Sequence, residues 1–327
     1  MSFLTVSGIS KQVEGNHVLT GISFRQERFQ KIAIAGETGS GKSTLLKIIA
    51  GLIQPASGQV YFENERLLGP LEKLIPGHPR IAYLSQHFEL RNNYRVIEVL
   101  EMANKLPETD SSAIYEVCRI THLLNRRTDQ LSGGEKQRIA TARLLISSPR
   151  LLLLDEPYSN LDMFHKSILK SVIHDITADL NVTCILVSHD PLDTLSWANK
   201  IFVMKNGQII QEGTPKQIYN EPVNEYSAGL FGRYNLIDPA TTKAFTASSE
   251  IKANGKKLFV RPENFKIVTE GANTVSGIVV DVNFFGSYFE LQVLISATII
   301  TVKTVDGNIS NGDTVYVSLS AGKVWDV

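Results

Sequence analysis

The sequence predicts an α/β core with an antiparallel β edge and a helical arm, followed by a small all-β domain. Three observations carry this. "KIAIAG" (31–36), "RLLLLDEP" (150–157) and "VTCILVSHD" (182–190) are apolar without alternation, as expected of strands buried on both faces of a parallel sheet. Segments with apolar residues at helical spacing stand between the first two of these. After about residue 232 the helical patterns give way to short strands.

In chain order, "FLTVSGIS" and "HVLTGISF" alternate apolar and polar residues and read as antiparallel strands. "KIAIAG" ends in glycine and runs into "KSTLLKIIAGL", a helix from Lys42. "GQVYF" and "RIAYLSQ" (80–86) are further strands. From Asn92 to Leu124 the pattern is helical, and "EKQRIATARLLIS" is a helix closed by Pro149. "KIFVMKNGQIIQEG" carries the Asn-Gly hairpin signal between two strands. "DPATTKAFTASSEIKANGKK" is polar and poorly periodic and reads as a linker. "LFVRP", "TVSGIVVDVNFF", "SYFELQVLI", "TIITVKTV" and "DTVYVSLS" are evenly spaced short strands, the pattern of a small barrel or sandwich. The expected division is a first domain at 1–232 with its helical arm at about 88–145, a linker at 233–257, and a β domain at 258–327.

Bulk properties narrow the class. A length of 327 residues suggests about two domains. Thirty-three basic residues balance thirty-three acidic ones, so no global field draws nucleic acid. The cysteines, Cys118 and Cys184, lack metal-ligand spacing and read as reduced thiols. "MSFLTVSGIS" is not the basic-then-apolar start of a signal peptide. No apolar run reaches the ~18 residues of a membrane span, so a membrane role would need partner subunits.

The chemistry concentrates in a few stretches. "GETGSGKST" matches the P-loop pattern in full: Gly36, Glu37, Thr38, Gly39, Ser40, Gly41, Lys42, Ser43 and Thr44 form a cradle of backbone N–H groups before a helix start. Lys42 is expected to neutralise β- and γ-phosphates, and Ser43 to ligate Mg²⁺. Asp155 emerges at the end of a buried strand, where a carboxylate can hold the Mg²⁺ shell. Its neighbour Glu156 can deprotonate a water aimed at the γ-phosphate. His189 follows another buried strand and can hold the same water. Gln86 ends "IAYLSQ", where an amide can sense Mg²⁺ and water. Taken singly, acids or a histidine at strand ends are more often structural; beside a P-loop the weight reverses.

"LSGGEKQR" (131–138) poses a different question. Ser132 and Glu135 have capping-box spacing, so the plain reading is a well-started helix. Gly133 and Gly134 strip its first turn of side chains and bare its N–H groups to an anion. No lysine stands where Lys42 stands in the P-loop. This loop can therefore add donors to a phosphate held elsewhere without holding one well alone.

"GETGSGKST", Gln86, "LSGGEKQR", "LLLLDEPYSNLD" and His189 follow the order seen in ATP-binding-cassette (ABC) ATPases. "LSGGEKQR" resembles that family's signature motif, and "SNLD" (159–162) its D-loop. The resemblance covers about residues 1–232. "GQIIQEGTPKQIYNEPVNEYSAGLFGRYNLI" and "LFVRPENFKI" resemble the ATPase subunits of bacterial solute importers, which carry a C-terminal transport-associated OB-like (TOBE) domain.

The resemblance implies a P-loop NTPase fold with an OB-like C-terminal domain, using ATP and Mg²⁺. It implies a homodimer in which Ser132, Gly133 and Gly134 face the nucleotide of the other chain and Asp162 sits at the seam. It also implies permease partners docking near Gln86, an extracytoplasmic solute-binding protein, and a place on the cytoplasmic face of the membrane. The family's adenine-stacking aromatic aligns with Val13, with His17 close by, so weak stacking and relaxed nucleotide selectivity are expected. Soluble ABC proteins of DNA repair or translation are the alternative. They carry long coiled-coil insertions or two cassettes, whereas this chain has one cassette and a short helical segment. An exporter ATPase is a further alternative, disfavoured by the C-terminal β domain.

Overall fold

The alternating N-terminal segments pair as read. β1 (Leu4–Val13) and β2 (Asn16–Gln26) form an antiparallel hairpin. β3 (Lys31–Ala35) leads through the glycine loop into α1 (Lys42–Ile49). β4 (Ser57–Phe62) and the short β5 (Glu65–Arg66) complete a four-stranded sheet in the order β2-β1-β4-β5. The computed structural model describes residues 2–85, 90–159, 161–180, 182–246, 257–271, 274–319 and 325–326.

The central sheet takes its strands from along the first unit, Met1–Pro215. After β6 (Ile81–Leu84) come the helices α2 (Val96–Glu101), α3 (Glu108–Val117) and α4 (Gly133–Leu145) of the arm. β7 (Leu151–Asp155), α5 (Met163–Asp179), β8 (Thr183–Val187) and α6 (Pro191–Leu195) follow. The hairpin β9 (Lys200–Lys205) and β10 (Gln208–Gly213) turns at Asn206 and Gly207, both at positive φ. The strand order is β10-β9-β3-β8-β7-β6, parallel from β9 to β6. β7 and β8 are buried at every position, which bears out their reading as two-sided strands.

No helix is expected from the sequence at 163–179, where α5 lies. Its signal is there: the buried Leu169, Val172, Ile173 and Ile176 follow helical spacing, and Asp162 caps the first turn by accepting from the His165 N–H at 2.9 Å. Polar residues between them dilute the pattern.

The second unit is Lys216–Val327, so its start lies upstream of the composition shift near 232. Arg261 supplies a physical reason. Its guanidinium is buried and donates to the carbonyls of Tyr219, Ala228, Gly232 and Arg233 at 3.0–3.2 Å. Its carbon also stands 4.1 Å from the Tyr219 ring centroid and 4.8 Å from that of Phe259. One charged fork thus ties α7 (Pro215–Asn220), α8 (Glu225–Leu230) and the turn after them to the C-terminal strands.

The expected linker also needs correction. Residues 233–246 contain β11 (Asn235–Ile237) and α9 (Pro239–Thr246). Asp238 starts the helix by accepting from the Thr241 N–H at 2.8 Å, and Pro239 begins it. Ile237 and Phe245 are buried in the C-terminal core, a tertiary contact that a weak local pattern did not announce. Residues 247–256 lie outside the described ones.

β12 (Leu258–Val260) pairs with β11 and with β18 (Trp325–Asp326). β13 (Phe265–Val268), β14 (Val275–Phe284), β15 (Phe289–Ile295), β16 (Thr298–Thr304) and β17 (Thr314–Leu319) form an antiparallel sheet in the order β13-β17-β14-β15-β16.

Candidate active site

The parallel register brings the chemistry to one edge. β3, β7 and β8 end at Ala35, Asp155 and Val187, with Ile34 paired to Val187 and Asp155 to Val187. The glycine loop, the Asp155–Glu156 pair and His189 therefore leave adjacent carboxyl ends, the usual place for a ligand in such sheets.

The loop is closely fitted. A Cβ on Gly36 would lie 2.4 Å from the Met204 carbonyl oxygen. Gly41 has φ 97°, and a Cβ there would lie 2.6 Å from the Val18 carbonyl oxygen. No side chain caps the N-terminus of α1, leaving its first N–H groups to an external acceptor. Lys42 is buried. Its ammonium donates to the carbonyls of Gly36 at 2.8 Å and Glu37 at 2.7 Å, and to Ser40 Oγ at 3.4 Å. Burial lowers its pKa, opposed by the charges of Glu156, Asp155 and Glu37. Ser40 is buried, whereas Glu37, Thr38 and Gly39 are exposed and Ser43 and Thr44 half-buried.

Asp155 is 3% exposed and both its oxygens are engaged. Ser43 Oγ donates to Oδ1 at 2.8 Å, and the Tyr83 hydroxyl donates to Oδ2 at 2.7 Å. Burial and the Asp155 carboxylate push the Tyr83 phenol far above its ordinary value, so it remains a donor. Sequence reasoning missed Tyr83, because a tyrosine inside an apolar strand reads as packing.

Glu156 turns out of β7 with φ 50°, the left-handed region uncommon for a side chain of its size. Its N–H donates to the Val187 carbonyl at 3.0 Å. This turn sets its carboxylate 2.8 Å from His189 Nδ1. The two residues named from separate strand ends are thus one pair. Gln86 lies outside the described residues.

The "LSGGEKQR" helix start has the expected capping box. Ser132 Oγ accepts from the Glu135 N–H at 3.3 Å, and Glu135 Oε2 accepts from the Ser132 N–H at 2.7 Å. Its two glycines differ. Nothing would meet a Cβ on Gly133, but one on Gly134 would lie 2.6 Å from His165 Cδ2. Gly134 therefore lets α4 approach α5, a packing demand the sequence reading did not foresee. His165 Nδ1 is in turn 2.7 Å from Asp162 Oδ2. Gln137 donates to the Pro157 carbonyl, joining α4 to the turn after Glu156. Val13 is 48% exposed near the β1–β2 turn, and His17 packs against the Gln12 amide at 3.0 Å.

A family model described as ABC transporter matches residues 19–159, and one described as TOBE domain matches 258–325. The spermidine/putrescine import ATP-binding protein PotA of Spiroplasma citri is 32% identical over 341 residues, covering 97% of this chain and 95% of that protein. The chain belongs to the ABC transporter ATPases. This ABC ATPase is also 32% identical to the Fe(3+) ions import ATP-binding protein FbpC 1 of Rhodococcus jostii, over 95% of this chain and 91% of that one. Among solved structures, cbiO1 from Clostridium perfringens, part of the ABC transporter complex cbiONQ, has a TM-score of 0.58 at 28% identity. It covers 67% of this chain and 91% of its own. No helix among the described residues is long and apolar enough to cross a membrane.

Proposed function

We propose that this ABC ATPase binds Mg-ATP on loop 36–44, closes on a second copy of itself, and powers solute import through a partner permease. The observation that carries the reading is the Asp155 carboxylate bonded to Ser43, beside buried Lys42 and next to the Glu156–His189 pair.

The residues fit a nucleotide and its metal. A buried ammonium bonded mainly to carbonyls is a charge suited to a phosphate, and α1 presents uncapped N–H groups beside it. Among the described residues no group of three or more His, Cys, Asp or Glu side chains could hold a metal by itself. Mg²⁺ needs no such cage when phosphate oxygens and water complete its shell. Ser43, Asp155 and, from sequence, Gln86 are the residues that would hold it. Bound Mg²⁺ supplies charge neutralisation at the phosphates. Lys42 binds phosphate oxygens, Gly36 to Thr44 cradle them, Glu156 accepts the proton of the attacking water, and His189 orients that water and Glu156.

Ser132, Gly133 and Gly134 serve the nucleotide of the other copy. Ser132 spends its side chain on its own helix, which leaves the first-turn N–H groups over open Gly133 for an outside anion. ATP then drives dimer closure by its extra affinity for the closed state. The arm at about 88–145 passes that motion to the permease, and residues 258–327 contribute dimer contact. Import is favoured over export by the TOBE match and by relatives named for import. Those relatives differ in solute, polyamine or ferric iron, so specificity resides in the permease and in an extracytoplasmic solute-binding protein. The chain works at the cytoplasmic face of the membrane.

Affinity-tagged protein extracted from membranes in mild detergent is expected to carry a multispanning subunit with it in a fixed ratio. Recovery of a fully active ATPase with no membrane partner would overturn the transport reading.

Val13 supplies only aliphatic contact to a base, without the ~1–3 kcal/mol of an aromatic platform. ATP and GTP are therefore expected to bind within about tenfold of each other, a difference under ~1.4 kcal/mol. Val13→Tyr should tighten ATP binding in a filter assay. A large ATP preference in the unaltered chain would contradict the placement of Val13.

A further inference from the structure

Asp155 has a second partner whose role the family motifs leave open. Tyr83 lies in β6, registered with Leu153 of β7, two residues before Asp155. Its hydroxyl reaches Oδ2 at 2.7 Å while Ser43 holds Oδ1 at 2.8 Å. A carboxylate held through both oxygens cannot turn about its last bond without breaking both contacts. With Ser43 alone, it can rotate about a single anchor.

We propose that Tyr83 is a positioning residue for the metal–nucleotide complex, fixing the Asp155 carboxylate so that Oδ1 stays toward Ser43. The inference rests on the reading of Asp155 as a metal-holding residue. Donors to a ligating carboxylate orient it, and losing one costs about 10- to 100-fold in metal affinity or activity. A second consequence is mechanical. β6 and β7 are neighbouring parallel strands, and the phenol bridges them at their carboxyl ends. The metal-holding carboxylate is thereby tied to the strand that runs toward the helical arm. A packing role alone predicts something different: the ring would matter and the hydroxyl would not.

Tyr83→Phe removes the donor and keeps the ring. The measurement is the affinity of the full-length ATP-bound protein for Mn²⁺, read by electron paramagnetic resonance, with Asp155→Asn beside it. Tyr83→Phe is expected to bind Mn²⁺ about tenfold more weakly, with metal-free ATP binding unchanged. The Mg²⁺ concentration for half-maximal turnover should rise by a similar factor, and kcat should recover at saturating Mg²⁺. Placing 4-aminophenylalanine at position 83 returns a donor at the same place and should restore the affinity. That substitution also serves if Tyr83→Phe folds poorly: restored folding without restored Mn²⁺ affinity counts against the inference. Unchanged Mn²⁺ affinity in Tyr83→Phe, with Asp155→Asn weakened, overturns it. Unchanged affinity in Asp155→Asn overturns the Asp155 reading itself, and the inference with it.

Discussion

Glu156→Gln is expected to lose ATP turnover by about 100- to 10,000-fold, the usual contribution of a general base, while ATP still binds. The substitution is nearly isosteric. It keeps an oxygen for a hydrogen bond with His189, whose Nδ1 lies 2.8 Å from the carboxylate, but it removes the group that accepts a proton. The turn at φ 50° is a backbone property and should survive. If closure needs ATP and opening needs its hydrolysis, the variant should accumulate as a dimer when ATP is added. Phosphate release and a sizing column check both halves. A variant that turns over normally removes Glu156 as the base. A variant that binds ATP but stays monomeric breaks the link between nucleotide and dimer.

Ser132→Arg is expected to leave ATP binding by the monomer near normal and to stop hydrolysis. Two effects combine. The helix loses its cap, worth ~1 kcal/mol, because Ser132 Oγ accepts the Glu135 N–H at 3.3 Å. A long charged side chain also enters the open space over Gly133, where nothing would meet even a Cβ. On the function proposed above, that space in a closed dimer belongs to the partner's nucleotide. Mixing Ser132→Arg with Lys42→Ala sharpens the test. A mixed dimer has one site with both defects and one with neither, so part of the activity should return. If Ser132→Arg instead abolishes ATP binding in the isolated monomer, the serine serves its own chain's nucleotide.

Much of the site was legible because its parts are local. A P-loop is a run of adjacent residues whose glycines answer close backbone approaches, as Gly36 does against Met204 and Gly41 against Val18. The capping box at Ser132 and Glu135 is likewise set by spacing alone. The end of an apolar strand can be read from composition, and that placed Asp155 and His189.

Contacts between distant segments were not legible. Tyr83 and Asp155 are far apart in sequence, and only the register of β6 on β7 joins them. Gly134 read as a bared helix start, but its size is also demanded by His165 on the next helix. Residues 233–246 read as linker because neither their polarity nor their periodicity reports that Ile237 and Phe245 sit in a core. Arg261 gives no local sign that its guanidinium gathers the carbonyls of Tyr219, Ala228, Gly232 and Arg233.

The fold class, the glycine loop before α1, the acidic strand end and the glycine-bared helix start were legible in the sequence. Each depends on neighbours in the chain, where spacing and side-chain type decide backbone conformation and burial. Tertiary structure alone decided that Glu156 meets His189, that Tyr83 and Ser43 share Asp155, and where the second unit begins. Those outcomes depend on strand register and on which buried polar groups find partners, and both are settled only when distant segments pack.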